Sequence, residues 1–188
     1  MSNFEWICWG WMGVAAITHV ILFYVKAPFG RHTSEKWGVT MDNKWGWFVM
    51  ELPSLLIMAY LLIKGTYSQQ SYAWILFTVW MLHYINRTII YPMRIKPTPK
   101  RMPLVIVGSA VFFNCMNAGL NGYYLAEIAP AADYGQQWLT SLHFLSGGIV
   151  FLTGMLINWH SDSVLINLRN KGESKDRKST RLNSSHLG

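Results

Sequence analysis

Residues 45 to 63 read WGWFVMELPSLLIMAYLLI, nineteen positions in which Glu51 is the only charge. At about 1.5 Å per residue a helix of that length spans roughly the 30 Å hydrocarbon core of a bilayer. Four more stretches, residues 6 to 25, 72 to 91, 103 to 125 and 142 to 159, share the pattern, and Arg87 is the one charge among them. The 188-residue chain is 52% hydrophobic and only 13% charged, against roughly a quarter charged in soluble domains. Its charges crowd into the connections between the apolar stretches. That distribution excludes a disordered chain and a polar binding module. Lipid offers backbone N–H and C=O groups no partner, and the alternation of a barrel strand is missing, so the apolar stretches are expected to be helices. The expected fold is all-α, a polytopic transmembrane bundle of five membrane helices. Nothing basic precedes the first stretch, so it is expected to remain as an anchor rather than be cleaved as a signal.

Orientation follows from the basic residues. Lys26, Arg31, Lys36, Lys44, Arg94, Lys96, Lys100, Arg101, Arg169 and Lys171 fall on one side of the alternating connections, and Lys64 stands alone on the other. The positive-inside rule then puts the N-terminus on the lumenal side and the C-terminus in the cytosol. The same distribution accounts for the net charge of +7, and no nucleic-acid partner is read from it. Trp6, Trp9, Trp45, Trp47, Trp74, Trp138 and Trp159 lie near span ends, as interfacial anchors do. Cys8 and Cys115 both fall within spans and support neither a disulfide nor a metal site. His19 and His143 lack metal-ligand spacing and read as packing residues, so no metal is expected. A soluble dinucleotide fold is excluded, because no strand leads through a Gly-x-Gly-x-x-Gly turn into a helix.

An ionisable group inside a span is costly enough to suggest function. Glu51 lies seven residues past Lys44, about 10 Å into the second span from its cytosolic side. Tyr84 lies seven residues before Tyr91, where the third span leaves on that same side, so acid and phenol sit at matching depths on antiparallel neighbours. Tyr84, Arg87, Thr88 and Tyr91, at i, i+3, i+4 and i+7, share a helical face. At the cytosolic end of the fifth span a continuing helix aligns Asn158, Asp162 and Arg169. Those groups suit a polar ligand from the cytosol, with an amide or ribose beside Asn158 and Asp162 and a phosphate near Arg169. Asn114, Asn117 and Asn121 form another stripe, read as hydrogen bonding between helices. Pro53 either opens room beside Glu51 or bends the span.

Taken in order, Gly30-Arg-His-Thr33, Trp47-Phe-Val-Met-Glu-Leu-Pro53, His83-Tyr-Ile-Asn-Arg-Thr88 with Tyr91-Pro92, Asn121-Gly-Tyr-Tyr-Leu125, and Asn158-Trp-His-Ser-Asp162 with Leu168-Arg169 and Gly172-Glu173 resemble the steroid 5-alpha-reductase family. The resemblance covers most of residues 27 to 173. It implies a multi-pass enzyme of the endoplasmic-reticulum membrane that reduces the 4,5 double bond of a 3-oxo-4-ene steroid with NADPH. It also implies that Glu51 and Tyr84 hold the steroid 3-keto oxygen as the catalytic pair. Asn158, Asp162 and Arg169 match positions lining the cofactor site, and Arg87 and Tyr91 complete the expected cofactor-binding set. Reduction of an enone gathers negative charge on the carbonyl oxygen, which calls for a hydrogen-bond donor there. Tyr84 is expected to donate, with a neutral Glu51 donating or orienting beside it. The partner expected is a steroid or sterol-like lipid. Met50 stands where the vertebrate steroid enzymes carry Gln, which leaves the natural steroid open. Related polyprenol and enoyl thioester reductases are the neighbouring enzyme reading, and a non-catalytic sterol-binding membrane protein is the alternative outside catalysis.

The resemblance implies that the family continues past residue 173 into further membrane helices, so the fragment alone is expected to be inactive. Residues 1 to 173 therefore read as the N-terminal and central part of a membrane-embedded reductase domain, and 174 to 188 as a non-native or disordered tail. Asp176 to His186, DRKSTRLNSSH, looks like a sequencing adapter translated in frame. The nucleotides encoding that run are expected to match such an adapter. Ordinary coding sequence leading to a natural stop codon would overturn this expectation.

Overall fold

A computed structural model describes residues 2 to 25, 37 to 66, 71 to 95 and 101 to 184, with side chains described as far as Asn167. The Gly30-Arg-His-Thr33 motif and the Arg169 side chain lie outside the described residues. Among the described residues the chain is all-α apart from one small ribbon. Helix α1 spans Asn3–Tyr24, α2 Asn43–Lys64, α3 Trp74–Ile85, α4 Tyr91–Arg94, α5 Leu104–Tyr123 and α6 Leu142–Ser184. Two π-helical turns interrupt or extend these rods, Asn86–Ile90 between α3 and α4 and Tyr124–Ile128 after α5. Among the described residues four helical runs are long and apolar enough to cross a membrane: Asn3–Tyr24, Asn43–Lys64, Leu104–Ile128 and Leu142–Asn167. The span expected over 72 to 91 is helical too, but it is built as α3, the π turn and α4, and its polar stripe sets it apart from those four.

Local chemistry explains where the helices begin. At α1 the Ser2 hydroxyl accepts from the Glu5 amide while the Glu5 carboxylate accepts from the Ser2 amide, a reciprocal cap for donors that the first turn leaves open. At α2 the Asp42 carboxylate accepts from the amides of Lys44 and Trp45. Helix α2 runs unbroken through Pro53, so the proline does not end the span.

The ribbon was not visible in the sequence. Strands β1 (Thr40–Asp42) and β2 (Arg101–Pro103) pair antiparallel, with Met41 opposite Met102. They are three residues each, too short for a recognisable alternation. Arg101 donates to the Thr40 hydroxyl and carbonyl, and buried Met102 packs with Met50 and Val107. The ribbon thereby fixes where α2 and α5 start relative to each other.

Among the described elements α2 and α5 make the most extensive contact, and α3 lies against α2. Their shared core holds Met58, Phe77, Ala118, Leu125 and Ala126. Close approach at the far end depends on glycine. A Cβ on Gly65 would lie 2.6 Å from both the Ala126 Cβ and the Leu61 carbonyl oxygen, and one on Gly122 would lie 2.6 Å from Leu61 Cδ1. Helix α1 stands outside this core, touching α5 through Phe4 on Tyr123 and through Trp11 on Phe112 and Phe113, and the π turn after α5 through Phe4 on Tyr124.

The Ala126 and Leu61 atoms facing Gly65 are a methyl and a backbone carbonyl, neither of which can swing aside. Gly65→Ala is expected to lower stability by about 1–3 kcal/mol, measured as thermal unfolding in detergent. Gly108→Ala, where no atom lies within 4 Å of the new Cβ, is the matched comparison and is expected to be near neutral.

Candidate active site

A connected set of polar side chains crosses the bundle. Arg87, in the π turn, donates through Nη2 to Glu51 Oε1 at 3.1 Å and through Nη1 to Asp162 Oδ2 at 3.3 Å. One guanidinium thus joins a carboxylate of α2 to a carboxylate of α6. Its flat faces are covered as well: the guanidinium carbon lies 4.6 Å from the Trp47 ring centre and 5.1 Å from that of Tyr91. Trp47 and Tyr91 meet edge to face. All three ionic side chains are largely buried, at 13% exposure for Arg87, 12% for Glu51 and 10% for Asp162.

Asn114 of α5 continues the chain of contacts. Its Nδ2 donates to the Met50 carbonyl at 2.7 Å and to Glu51 Oε2 at 3.4 Å. Its Oδ1 accepts from the Ser54 hydroxyl at 2.9 Å and from the Tyr84 hydroxyl at 3.3 Å. Glu51 and Tyr84 therefore converge on the same residue, level with each other inside the bundle, and meet through its amide. Glu51 accepts here from Arg87 and from Asn114.

Beside this network lies a cavity of about 400 Å³ lined by Trp80, His83 and Tyr84 of α3, Asn117 of α5, and Val150, Phe151, Gly154 and Met155 of α6. That volume is within the range of small-molecule sites, roughly 300–1,000 Å³. Its walls are apolar, and Trp80 stacks on the Tyr84 ring at 5.2 Å between centres. Tyr84 is the member of the expected catalytic pair that lines the cavity, while Glu51 lies behind Asn114.

The expected cofactor set divides in two. Asn158 and Asp162 lie four residues apart on α6; Asp162 is engaged by Arg87, whereas the buried Oδ1 of Asn158 has no hydrogen-bond partner among the described residues. A buried acceptor left open is costly and fits a ligand that brings a donor, such as the carboxamide of a nicotinamide. Thr88 Oγ1, on the π turn, is likewise buried without a partner. Arg87 and Tyr91 differ from that expectation in placement. Arg87 is committed to two carboxylates, and Tyr91, 3% exposed, packs against Trp47 and Arg87. The Asn158–Asp162 end is tied to the α3–α4 run a second time, where Arg94 donates to the Ser163 hydroxyl at 2.7 Å.

Two contributors escaped the sequence reading. Asn114 reads as interhelical glue, which it is, but its bonds join the two residues singled out for chemistry. Trp47 reads as an interfacial anchor, yet it covers Arg87; its position four residues before Glu51, on one helical face, was the available signal.

A family model described as 3-oxo-5-alpha-steroid 4-dehydrogenase matches residues 100–181. Over 163 residues, 85% of this chain and 62% of the relative, the sequence is 31% identical to a steroid 5-alpha-reductase of Gossypium hirsutum. It is 34% identical over 157 residues to the Arabidopsis thaliana steroid 5-alpha-reductase, covering 81% of this chain and 59% of that protein. It is also 34% identical over 165 residues to 3-oxo-5-alpha-steroid 4-dehydrogenase 1 of Bos taurus, covering 86% and 63%. The chain spans about three fifths of the length of these curated relatives.

Removing the shared cation would leave two buried carboxylates facing each other. Arg87→Met is expected to cost about 3–5 kcal/mol, read as a lowered unfolding temperature in detergent. Adding Glu51→Gln and Asp162→Asn to Arg87→Met is expected to restore a large part of that loss.

Proposed function

Because the chain belongs to the 3-oxo-5-alpha-steroid 4-dehydrogenase family, we propose that it is the N-terminal and central part of an NADPH-dependent reductase that saturates the 4,5 double bond of a 3-oxo-4-ene steroid. The observation that carries this reading is the placement of the Tyr84 phenol on the wall of an apolar cavity, with its hydroxyl bonded into the Asn114 and Glu51 network. A fused-ring lipid bearing one ketone needs such a site: apolar walls for the skeleton and one donor for the oxygen.

When bound, the nicotinamide cofactor supplies hydride to the carbon beta to the carbonyl. The protein's part is to meet the charge that then collects on the carbonyl oxygen. The Tyr84 hydroxyl turns from Asn114 to the ketone and donates to the developing enolate oxygen. Its bond to Asn114 is long at 3.3 Å, and Ser54 still satisfies the Asn114 oxygen at 2.9 Å, so the turn leaves no buried acceptor empty. Glu51 acts through Asn114 and Arg87, keeping the phenol and the Asp162 end of the site in register. The helices around the cavity exclude water, which strengthens the contact between phenol and oxygen.

Asn158, with its open Oδ1, and Asp162 are the described residues assigned to hold the cofactor, with Arg169 for a phosphate. The reading further takes the stretch 72 to 91 as a further membrane crossing, making five, the N-terminus as lumenal, the C-terminus as cytosolic and the membrane as that of the endoplasmic reticulum. The soluble cofactor then arrives from the cytosol while the steroid enters from lipid. A fragment of this length is taken as inactive by itself.

In the full-length protein Tyr84→Phe is expected to reduce turnover of a 3-oxo-4-ene steroid about 100-fold, in the range lost with one oxyanion donor. Glu51→Gln is expected to lower it strongly as well, with expression retained. NADPH consumption measured with 3-oxo-4-ene steroid and with polyprenol separates the readings: near-normal turnover in both variants, or a response to polyprenol alone, overturns the assignment.

A further inference from the structure

We infer that Asn114 is the positioning residue of this site, holding the Tyr84 hydroxyl in place until a ligand claims it and fixing the Glu51 carboxylate at the same time; the inference rests on the reductase reading above. A carboxamide has two N–H donors and one oxygen with two acceptor sites. All four are used: Nδ2 gives one hydrogen to the Met50 carbonyl and the other to Glu51 Oε2, and Oδ1 receives the Ser54 and Tyr84 hydroxyls. The partners also forbid the reversed amide. Turned over, Oδ1 would face the Met50 carbonyl and the Glu51 carboxylate, three oxygens together with no hydrogen between them. With a side chain this fully committed and 5% exposed, the amide has one orientation.

The consequence falls on Tyr84. A phenol oxygen is carried by its ring, but its hydrogen is free to rotate until an acceptor claims it. The nearby ring contacts, Trp80 stacked on Tyr84 and His83 edge-on to it, hold the ring plane without choosing where the hydroxyl points. Asn114 Oδ1 accepts it, with Ser54 and Asn117 also beside the hydroxyl, and Nδ2 of the same amide holds Glu51, so acid and phenol keep a fixed separation through Asn114. Ser54 has a supporting part, since its shorter bond keeps Oδ1 in place when Tyr84 turns toward a ligand. Asn114 does not line the cavity and acts only through its neighbours.

A double-substitution cycle in the full-length protein tests this. Asn114→Leu, which keeps the branched shape but cannot hydrogen-bond, is expected to lower kcat for steroid reduction about tenfold, with KM changed by less than about threefold. In the Tyr84→Phe background, where no hydroxyl remains to direct, the same substitution is expected to cost less than about threefold. NADPH affinity, followed by fluorescence of the reduced nicotinamide, is expected to stay unchanged and shows that the variant is folded. Equal losses in both backgrounds would mean that Asn114 merely supports the bundle, and would overturn the inference, as would Asn114→Leu with normal kcat. If Asn114→Leu does not accumulate, Asn114→Ser, which adds no bulk, is carried through the same cycle under the same criteria. Near-normal turnover of Tyr84→Phe alone is a separate result that removes the reductase assignment itself.

Discussion

A guanidinium between two carboxylates, set into an apolar bundle, is the interaction on which the rest of the site depends. Burying the side chains of Arg87, Glu51 and Asp162 in such surroundings without partners would be costly. Together they resolve that cost, and the geometry that resolves it draws α2, the π turn after α3, and α6 to one point. The rings of Trp47 and Tyr91 close over the cation and keep lipid from it. Elsewhere α6 is lightly held: the apolar faces of Leu145, Ile149, Leu152 and Leu156 are exposed, and its described polar ties to the α3–α4 run are Asp162 and Ser163. The ion pair is therefore a fastening as well as a feature of the site.

The sequence displayed one coordinate of this arrangement and concealed another. Counting residues along an apolar run measures depth, because every helical residue advances by the same rise; Glu51 and Tyr84 were recognisable as level with each other for that reason. Azimuth is harder. Helical spacing placed Tyr84, Arg87, Thr88 and Tyr91 on one face, but a π turn over Asn86–Ile90 lies within that stripe, where the Tyr91 amide reaches back to the Asn86 carbonyl. Such turns carry no compositional signature that a reading of apolar periodicity can detect, and they recur at functional sites. The turn is also why Arg87 can reach carboxylates on two helices while Tyr84, three residues earlier, faces a third. Asn114 was visible as a polar residue in a span, yet which neighbours an amide will choose is decided by packing, here by the close contact of α2 with α5.

The ribbon and the glycines show the same division. In the sequence Thr40–Asp42 lies in a connection and Arg101–Pro103 where a connection passes into an apolar stretch, and nothing in three residues distinguishes a strand from a loop. Once paired, they fix the start of α2 through the Asp42 cap and the start of α5 through Pro103, which brings Met50, Glu51 and Ser54 within reach of Asn114. At the other end Gly65 and Gly122 allow α2 and the end of α5 to approach closely. The amide of Asn114 needs this control from both ends, since hydrogen-bond distances of 2.7 to 3.4 Å tolerate little sliding of one helix past the other.

The polar chain can be followed without a gap from Tyr84 through Asn114, Glu51 and Arg87 to Asp162. One end borders the apolar cavity and the other lies one helical turn from the open acceptor of Asn158. A reduction that takes its organic substrate from lipid and its hydride donor from water must bring two unlike ligands to a common boundary. A set of directional bonds serves that need better than apolar packing alone, because each bond specifies an angle as well as a distance. Movement of Asp162 on α6 would be transmitted through Arg87 to Glu51 and through Asn114 to the phenol. On the proposed reading, the same contacts that satisfy the buried charges would also relate the position of the hydride donor to the position of the ketone.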